Sequence, residues 1–595
     1  MRDRLTRSAH GGRPTPDADA DAGAGGDRPL RIGIVGLGPK GTFALERLLD
    51  HAGRADPAAA IRIDAYEPHP VPGAGPVYDP GQPAHLRMNF AAGQVDMWWP
   101  GTTAVPPPDR RSFVDWSEHH RRPCDPATYP PRADVGLYLA DGLRALLAHA
   151  PPSVAVTIRP ARVRAVVRVD GGWVLQTTGG ADFYDEVLIA TGHDRSPGRP
   201  FAGPRRPPPV VPAVFPVERH LSPDRVPPGA TVAIRGFALS FIDAALTLTE
   251  GRGGTFAPRD DEKRDRPEKH EPDLPATCLL RYRPGEDDVR VIFPFSRTGR
   301  PMLAKPAAGL VRPGLAGIAD RGRRLIGRLD APVDLRRDLL PILAATVTDN
   351  LRAAGAAPPA EQVDGWLDAA LAGAHAEADS PSDELRRSLT GAADLPWALG
   401  QAWRDLYPAI VTGLGGDRLT DADWPRFRRL AAELERVSFG PPPINAAKLL
   451  ALIDAGRVDL THVRGGRVAG DRRVAVLSSA RGDQAVDVVI DAVLPGPGAP
   501  AGRDALLRRL VDDGHVRIAA GRRGIDVGPD GGCRGVDGSA TPGLAAIGRP
   551  TEDSVIGNDT LSRTLHPLAD RWARGVVERS RRRPTVHEPT AGVAG

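Results

Sequence analysis

The sequence predicts an α/β chain: two dinucleotide-binding, Rossmann-like units with a large, mostly α-helical insertion. Three observations carry that prediction. A strand of buried character at 31–35 runs into Gly36-Leu37-Gly38-Pro39-Lys40-Gly41 and then an apolar helix over 42–49. A second start of the same kind combines a strand at 231–235, the turn Gly236-Phe237-Ala238-Leu239-Ser240 and a helix over 241–249. Between 317 and 456 apolar residues recur at three- and four-residue spacing, as in Leu325 and Leu329, Leu339, Leu340 and Leu343, Leu367 and Leu371, and Leu430 and Leu434.

The first unit is read from its glycines. Gly36 makes the tight strand-to-helix turn, Gly38 lets backbone approach a pyrophosphate, and Gly41 lets helix and strand pack closely. The positive end of the helix then faces the phosphates. A second strand, 61–66, ends in Glu67, an acid placed for an adenosine ribose. It lies further on than the usual spacing of about 20 residues, and a longer helix and loop absorb the difference. Next comes a long stretch dense in Gly, Pro and aromatics, including Gly73-Ala74-Gly75-Pro76-Val77-Tyr78 and Met97-Trp98-Trp99-Pro100. Long loops of this kind beside a nucleotide site are usually functional. A helix over 135–149 follows, then strands at 154–158 and 163–169 that pair with 173–177 as a β-meander. A buried strand closes the unit at Ala190-Thr191-Gly192.

A Pro-rich linker over 197–209 leads to the second unit. There Ala238 stands where a glycine is usual, so backbone approaches a pyrophosphate less closely. A polar loop is expected at 260–272. Ser296 and Arg297 combine a hydroxyl with a planar two-pronged cation, the chemistry that holds a ribose 2′-phosphate. That favours NADPH over NADH. The helical insertion is expected to cap the cofactor units and form a substrate chamber at their interface. The chain returns to α/β through strands at 474–477 and 488–495. Its C-terminal part runs from Gly548-Arg549-Pro550-Thr551 to Asp559-Thr560-Leu561 and a helix through Trp572, which Asp559 or Thr560 would cap. The expected divisions are a disordered leader at 1–28, a first nucleotide-binding domain over 29–200, an NADPH-binding region over 210–310, the helical cap over 311–456, a return over 457–578 that completes the first nucleotide site, and a tail at 579–595.

Composition excludes several function classes. The net charge of +4 is small for 595 residues, and no basic stripe interleaves with aromatics, which argues against nucleic acid. Three dispersed cysteines, Cys124, Cys278 and Cys533, form no CxxC, arguing against a disulfide framework, a thiol reductase or a Cys-rich zinc site. No metal is expected. The leader lacks an apolar signal core, and no run approaches the ~18 apolar residues of a membrane span, so a soluble cytoplasmic protein is expected. Only five lysines occur, Lys40, Lys263, Lys269, Lys305 and Lys448. Where Arg is the default cation, a retained Lys points to a need for a compact ammonium.

Several of these segments together resemble a known family. They are Gly36-x-Gly38-x-x-Gly41, Leu86-Arg87-Met88-Asn89, Asp185 with Ala190-Thr191-Gly192-His193, the turn at Gly236, Ser296-Arg297-Thr298-Gly299-Arg300-Pro301, and Gly548-Arg549-Pro550-Thr551 with Asp559-Thr560-Leu561. The chain is similar over most of its length to the FAD/NAD(P)-binding flavoprotein monooxygenases of actinobacterial secondary metabolism, and most like the L-aspartate N-monooxygenases that form nitrosuccinate. The resemblance implies FAD and NADPH as cofactors and a small amino acid and O2 as substrates. It also implies oxygen transfer to a neutral amine through a flavin C4a-hydroperoxide. Cofactor contacts would come from Gly36, Leu37, Gly38, Pro39, Lys40, Gly41, Glu67, Leu86, Asn89, Ala190, Thr191, Gly192, Gly236, Ser240, Ser296, Arg297, Asp559 and Thr560. Substrate carboxylates would need cations, for which Lys305, Arg300, Lys448 and Arg549 are candidates, with Asn89 a polar contact near the flavin. The alternatives are a flavin-dependent hydroxylase or oxidase of another small molecule, and a non-catalytic nucleotide-binding redox sensor. Oligomeric state is left open.

Overall fold

The computed structural model describes residues 28–55, 60–101, 103, 105–192, 210–259, 279–306, 314–356, 360–374, 380–470, 475–494 and 505–581. The expected leader except Arg28, the linker 197–209, the loop 260–272, His193, Cys278 and the tail beyond 581 lie outside them.

The first glycine segment folds as strand, turn and helix: β1 (Leu30–Val35), α1 (Pro39–Gly53) and β2 (Ile61–Tyr66). Every side chain of β1 except Arg31 is buried, as a parallel strand covered on both faces requires. The long loop that follows holds α2 (Phe113–His119) and ends at α3 (Arg132–Ala148). Then come β3 (Val154–Arg159), β4 (Ala165–Val169), β5 (Gly172–Gln176), β6 (Ala181–Tyr184) and β7 (Glu186–Ile189). The meander is β4, β5 and β6; β3 instead lies parallel to β2 in the main sheet. The sequence alone puts 154–158 in the meander. Its Val-x-Val pattern suits either sheet, and only the register along β2 decides.

The second unit begins with β8 (Val210–Val211), α4 (Val217–His220), β9 (Thr231–Arg235) and α5 (Leu239–Thr247). It continues through β10 (Thr255–Pro258), β11 (Leu280–Arg283) and β12 (Val291–Phe295). The helical part comprises α6 (Leu315–Ile326), α7 (Leu340–Ala353), α8 (Ala360–Ala372), α9 (Pro381–Thr390), α10 (Leu395–Leu414) and α11 (Trp424–Ser438). Trp403, Trp424, Phe427 and Leu430 sit in its own apolar core, whereas Leu325 is exposed rather than core. Next, α12 (Pro443–Asp454) packs into the apolar core of the second unit, with Leu385 and Leu389 of α9 beside it.

The last stretch corrects one expected division. After β13 (Arg467–Gly470), β14 (Ala475–Ser479) and β15 (Gly482–Val486), β16 (Val488–Asp491) pairs in parallel with β9 and β8. The strand β16 thus completes the second sheet, in the order β12-β9-β16-β8, and not the first, while β13, β14 and β15 form a small sheet of their own. Among the described residues that follow, α13 (Ala505–Asp512), β17 (Gly532–Arg534), β18 (Ala540–Ala546) and α14 (Leu568–Arg581) return to the first unit. Its sheet runs β17-β18-β7-β1-β2-β3. The helix α14 lies along α1, where Asp570 accepts from Arg47 at 2.9 Å and meets His51 at 2.9 Å. No described helix is long and apolar enough to cross a membrane.

Candidate functional site

The turn between β1 and α1 is held by two segments that the sequence reading singled out separately. Gly36 has φ +100°, and a Cβ there would stand 2.5 Å from the carbonyl oxygen of Ala190 at the end of β7. Only glycine fits. A Cβ on Gly41 would stand 2.0 Å from the Gly36 oxygen, so helix and turn touch through backbone. Gly38 differs: an added Cβ would meet nothing nearer than the Gly75 Cα at 3.9 Å. The space beside Gly38 is an open slot between two glycines, brought together because Gly73 N–H donates to Leu37 O at 2.7 Å. The Gly38 N-cap offers no side-chain acceptor, Pro39 follows it, and the first turn of α1 carries no acid. Its end is thus free to receive an anion. Lys40 in that turn is half-buried, and the desolvation lowers its ammonium to about 8. This cradle fits the diphosphate of a dinucleotide. Glu67, buried at the end of β2, accepts from Leu37 N at 2.9 Å and His69 N at 2.8 Å. Thr191 and Gly192 follow β7 at the same sheet edge, with Gly192 at φ +72°.

The second turn repeats this geometry with less room. Gly236 has φ +108° and donates its N–H to Phe295 O at 2.9 Å, so the ends of β9 and β12 lie side by side. Ala238 is the N-cap of α5 and Ser240 is buried in its first turn. Ser296 accepts from Gly299 N at 2.9 Å, and Arg297 beside it is exposed. These two residues stand at the strand edge next to the glycine turn, the position from which a ribose phosphate is read in such units.

The C-terminal segment joins the first cradle to the helical cap. A Cβ on Gly548 would lie 3.3 Å from Lys40 Cγ, and one on Gly557 would lie 3.2 Å from the Tyr407 hydroxyl of α10. Arg549 binds Asp559 at 2.8 Å and Glu552 at 3.3 Å, while its Nε atom is buried without a partner. Asp559 and Thr560 do not cap the last helix, which begins at Leu568; the Thr560 hydroxyl accepts from Ser562 N instead. The turn chemistry around Gly557 and Pro567 delays the helix by almost two turns. Glu435 on α11 faces this segment. Burial, with Asp559 and Glu552 nearby, raises its carboxyl to about 8. No sequence signal marked Glu435, which looks like one more charge on an amphipathic helix.

The candidate cations separate. Lys305 donates to the backbone oxygen of Asn89, joining the long loop of the first unit to the segment before the cap. Arg300 is used otherwise, in a buried ion pair with Glu433 at 2.6 Å. Lys448 pairs with Glu250 at 2.5 Å and lies over the Phe256 ring, inside the second unit. Leu86 is buried in that unit's apolar core. Arg300, Lys448 and Leu86 are therefore braces of the architecture. Sequence reasoning missed Arg404, which α10 brings toward Lys305 and Tyr129; burial lowers both cations, the Arg404 charge lowers Lys305 further, and Asp405 and Tyr129 act on Arg404 in the opposite sense. Among the described residues no cluster of His, Cys, Asp or Glu could hold a metal ion.

Comparison with known proteins agrees with this geometry. Residues 33–194 match the family described as FAD-NAD(P)-binding, a stretch that runs from within β1 past the end of β7 and includes the Gly36–Gly41 turn. An L-aspartate N-monooxygenase (nitrosuccinate-forming) of Streptomyces davaonensis is 28% identical, over 82% of this chain and 85% of its own length. A nitrosuccinic acid synthase of Aspergillus oryzae is 26% identical, over 83% of this chain and 82% of its own. Among solved structures, L-lysine 6-monooxygenase from Pseudomonas syringae aligns with 93% of this chain and all of its own, at 12% identity and a TM-score of 0.43. That overlap is too loose to carry argument.

Proposed function

We propose that this chain, a flavoprotein of the FAD-NAD(P)-binding type, is an FAD- and NADPH-dependent N-monooxygenase that oxidises the amine of L-aspartate to nitrosuccinate in cytoplasmic natural-product biosynthesis. The observation that carries the reading is the similarity, over 82% and 83% of this chain, to two proteins named for nitrosuccinate formation.

The chain's own residues then have definite work. The Gly36–Gly41 turn and the Lys40 ammonium hold the FAD diphosphate, and Ser296 with Arg297 holds the 2′-phosphate of NADPH. Bound FAD, once reduced by NADPH, supplies the activation of O2 that a protein side chain cannot. What remains for the protein is to bind and orient the amine, to keep water away, and to take a proton from it. The cap serves the second task, since Ile556 and Leu565 of the C-terminal segment pack into the same apolar core as α10 and α11. Glu435, recessed beside that segment, is the candidate for moving the amine's proton: mostly protonated at pH 7, it accepts the ammonium proton only through its ionised fraction, which grows as pH rises toward 8. An acid raised to about 8 sits close enough to an amine's range for transfer in either direction.

The test is direct. Purified protein should carry a flavin spectrum, consume NADPH faster when L-aspartate is added, and release nitrosuccinate identified by mass spectrometry. Stimulation by another amine with aspartate inert would replace the substrate, and a colourless protein that takes up no FAD would remove the class.

A further inference from the structure

The stretch 85–88 belongs to both nucleotide units at once. Leu86 is buried in the apolar core of the second unit and Met88, two residues on, in that of the first. Its backbone is stitched to the start of α3: Met88 N donates to Pro130 O at 2.8 Å, and Arg132 N donates to Leu86 O at 2.9 Å. At its head, His85 Nε2 meets the Thr247 hydroxyl of α5 at 2.9 Å. That hydroxyl donates to the Asp243 backbone oxygen at 2.7 Å, so it accepts from His85 Nε2, which carries the proton. Beside this contact the Arg132 guanidinium donates to the Asp243 carboxylate at 2.7 Å. Both groups are recessed, with side chains 17% and 4% exposed, and the Phe215 ring centre lies 5.8 Å from the guanidinium carbon.

On either side of that ion pair there is no slack. Arg132 opens α3, and α3 abuts the loop that walls the first cradle. A Cβ on Gly136 would overlap the Tyr78 carbonyl oxygen, and one on Gly73 would stand 2.9 Å from Leu139 O. Gly73 N donates in turn to Leu37 O at 2.7 Å, inside the turn that holds the slot beside Gly38. On the other side, Asp243 lies little more than one turn into α5 from its N-cap, Ala238, in the second glycine turn. Every residue of α5 from Ser240 to Thr247 is buried, so the helix is seated in its own unit. Backbone therefore touches backbone from the Leu37 turn to α3, and one charge pair carries the line on to the second turn. Interiors packed this closely transmit displacement and do not absorb it. A buried pair of this kind adds little net stability once desolvation is counted, but breaking it strands a charge, so the two helices are held at one spacing.

We propose that Arg132 and Asp243 are positioning residues for hydride transfer: their ion pair, with the 85–88 strap, sets the second glycine turn at one distance from the FAD cradle. They act through α3 and α5 and not by contact with either nucleotide. The inference rests on the reading of the two units as FAD and NADPH sites. In the step concerned, one C–H bond of NADPH breaks and its hydride passes to FAD, leaving NADP+ and reduced flavin. Its rate is steep in the approach of the reacting atoms, and a misplacement of about 1 Å costs about a hundredfold. Loss of the pair therefore acts on the rate of reduction and spares the affinity for NADPH.

The FAD-loaded full chain is mixed with NADPH in a stopped-flow instrument without O2, and the loss of oxidised-flavin absorbance gives a limiting reduction rate and an NADPH dissociation constant. Asp243→Asn, which keeps the side-chain shape, and Arg132→Met should each cut the limiting rate about tenfold or more, with the dissociation constant within about threefold of the wild type. Arg132→Lys should recover part of the rate. The double variant should be no slower than the slower single one, because the two side chains act as one pair. Dithionite should reduce every variant as it does the wild type, since that reductant needs no second unit. Unchanged limiting rates in the single variants overturn the proposal, as does a double variant slowed by the product of the single effects. Weaker NADPH affinity at an unchanged limiting rate makes the pair part of a nucleotide-binding surface and overturns it too. Release of FAD, with normal reduction of the flavin that stays bound, leaves the pair a structural role only. A wild type that NADPH does not reduce sinks the cofactor reading and the pair's role with it, whereas a wild type reduced normally beside unslowed variants sinks the pair alone.

Discussion

Lys305 and Arg297 show how single residues set measurable behaviour. Lys305, a candidate cation for a substrate carboxylate, is lowered to about 8 by burial first and by the Arg404 charge second; Tyr129 and the Asn89 carbonyl are its other close neighbours. A cation with a lowered pKa is charged below that value and neutral above it. Attraction for a carboxylate is therefore full at pH 7 and fades as pH rises through about 8, while a bound anion shifts the titration upward. The aspartate KM should thus be flat from pH 6.5 to 7.5 and climb beyond pH 8 in the wild type. In Lys305→Gln it should be high throughout and insensitive to pH over the same range; a parallel climb in that variant would assign the titration elsewhere. Arg297 makes a different kind of prediction because it is exposed at the β12 edge. Its loss removes one charge-assisted contact to a phosphate, worth ~1.5–3 kcal/mol, or roughly 10- to 100-fold in affinity. Arg297→Ala should therefore raise the NADPH KM by about that factor with little change for NADH. Equal changes for both nucleotides would move the 2′-phosphate contact to another residue.

At the scale of elements, the N-terminus of α1 separates packing from ligand binding unusually well. Gly36 and Gly41 are dictated by neighbouring backbone, so a substitution there damages the fold itself. Gly38 has φ −75° and an open slot, so a larger side chain costs the protein little and occupies only ligand space. Gly38→Val should fold with a melting temperature near that of the wild type but fail to retain FAD, giving a colourless protein; retention of flavin would refute the cradle. This turn was legible in the sequence because its function is local: three glycines within six residues, a preceding buried strand and a following helix state the requirement completely. Ala238 was noted in the sequence as standing where a glycine is usual, and the structure makes it the N-cap of the second helix, the place Gly38 takes at the first. Elements whose role depends on distant partners were not legible. The strand over 488–491 reads as a generic buried strand, and only its parallel register against β9 assigns it to the second sheet. Arg300 and Lys448 looked like ligands for substrate until Glu433 and Glu250, far away in the chain, claimed them. Arg404 and Glu435 were invisible for the converse reason. Polar positions on amphipathic helices are usually solvated, and only the packing of α10 and α11 turns these two inward.

Over the whole molecule, the first nucleotide unit is built from both ends of the chain. Its sheet places β18, from residues 540–546, directly against β7, and α14 covers α1. The buried Glu46 of α1 pairs with Arg563 at 2.5 Å, and the Arg563 guanidinium stacks 4.1 Å from the centre of the Phe43 ring. The cap is carried between these halves, so its position over the first cradle depends on the closing of a loop that spans the entire second unit. Trp572 is 2% exposed in the core that α14 shares with α1. Truncating such a residue costs ~3–5 kcal/mol through lost burial and the cavity left behind. Because the damaged interface is the one that closes the FAD cradle, Trp572→Ala should both lower the melting temperature and weaken FAD retention without touching any cofactor contact. Ligand bound only by the folded state offsets part of such a loss, by about 2.7 kcal/mol at a hundredfold excess over its dissociation constant. Excess FAD should therefore raise the melting temperature of Trp572→Ala, whereas it should do nothing for Gly38→Val. If both variants respond alike to added FAD, then either the Gly38 slot is not where the diphosphate lies or α14 does not close the same cradle. Testing the pair together separates a broken binding surface from a broken scaffold.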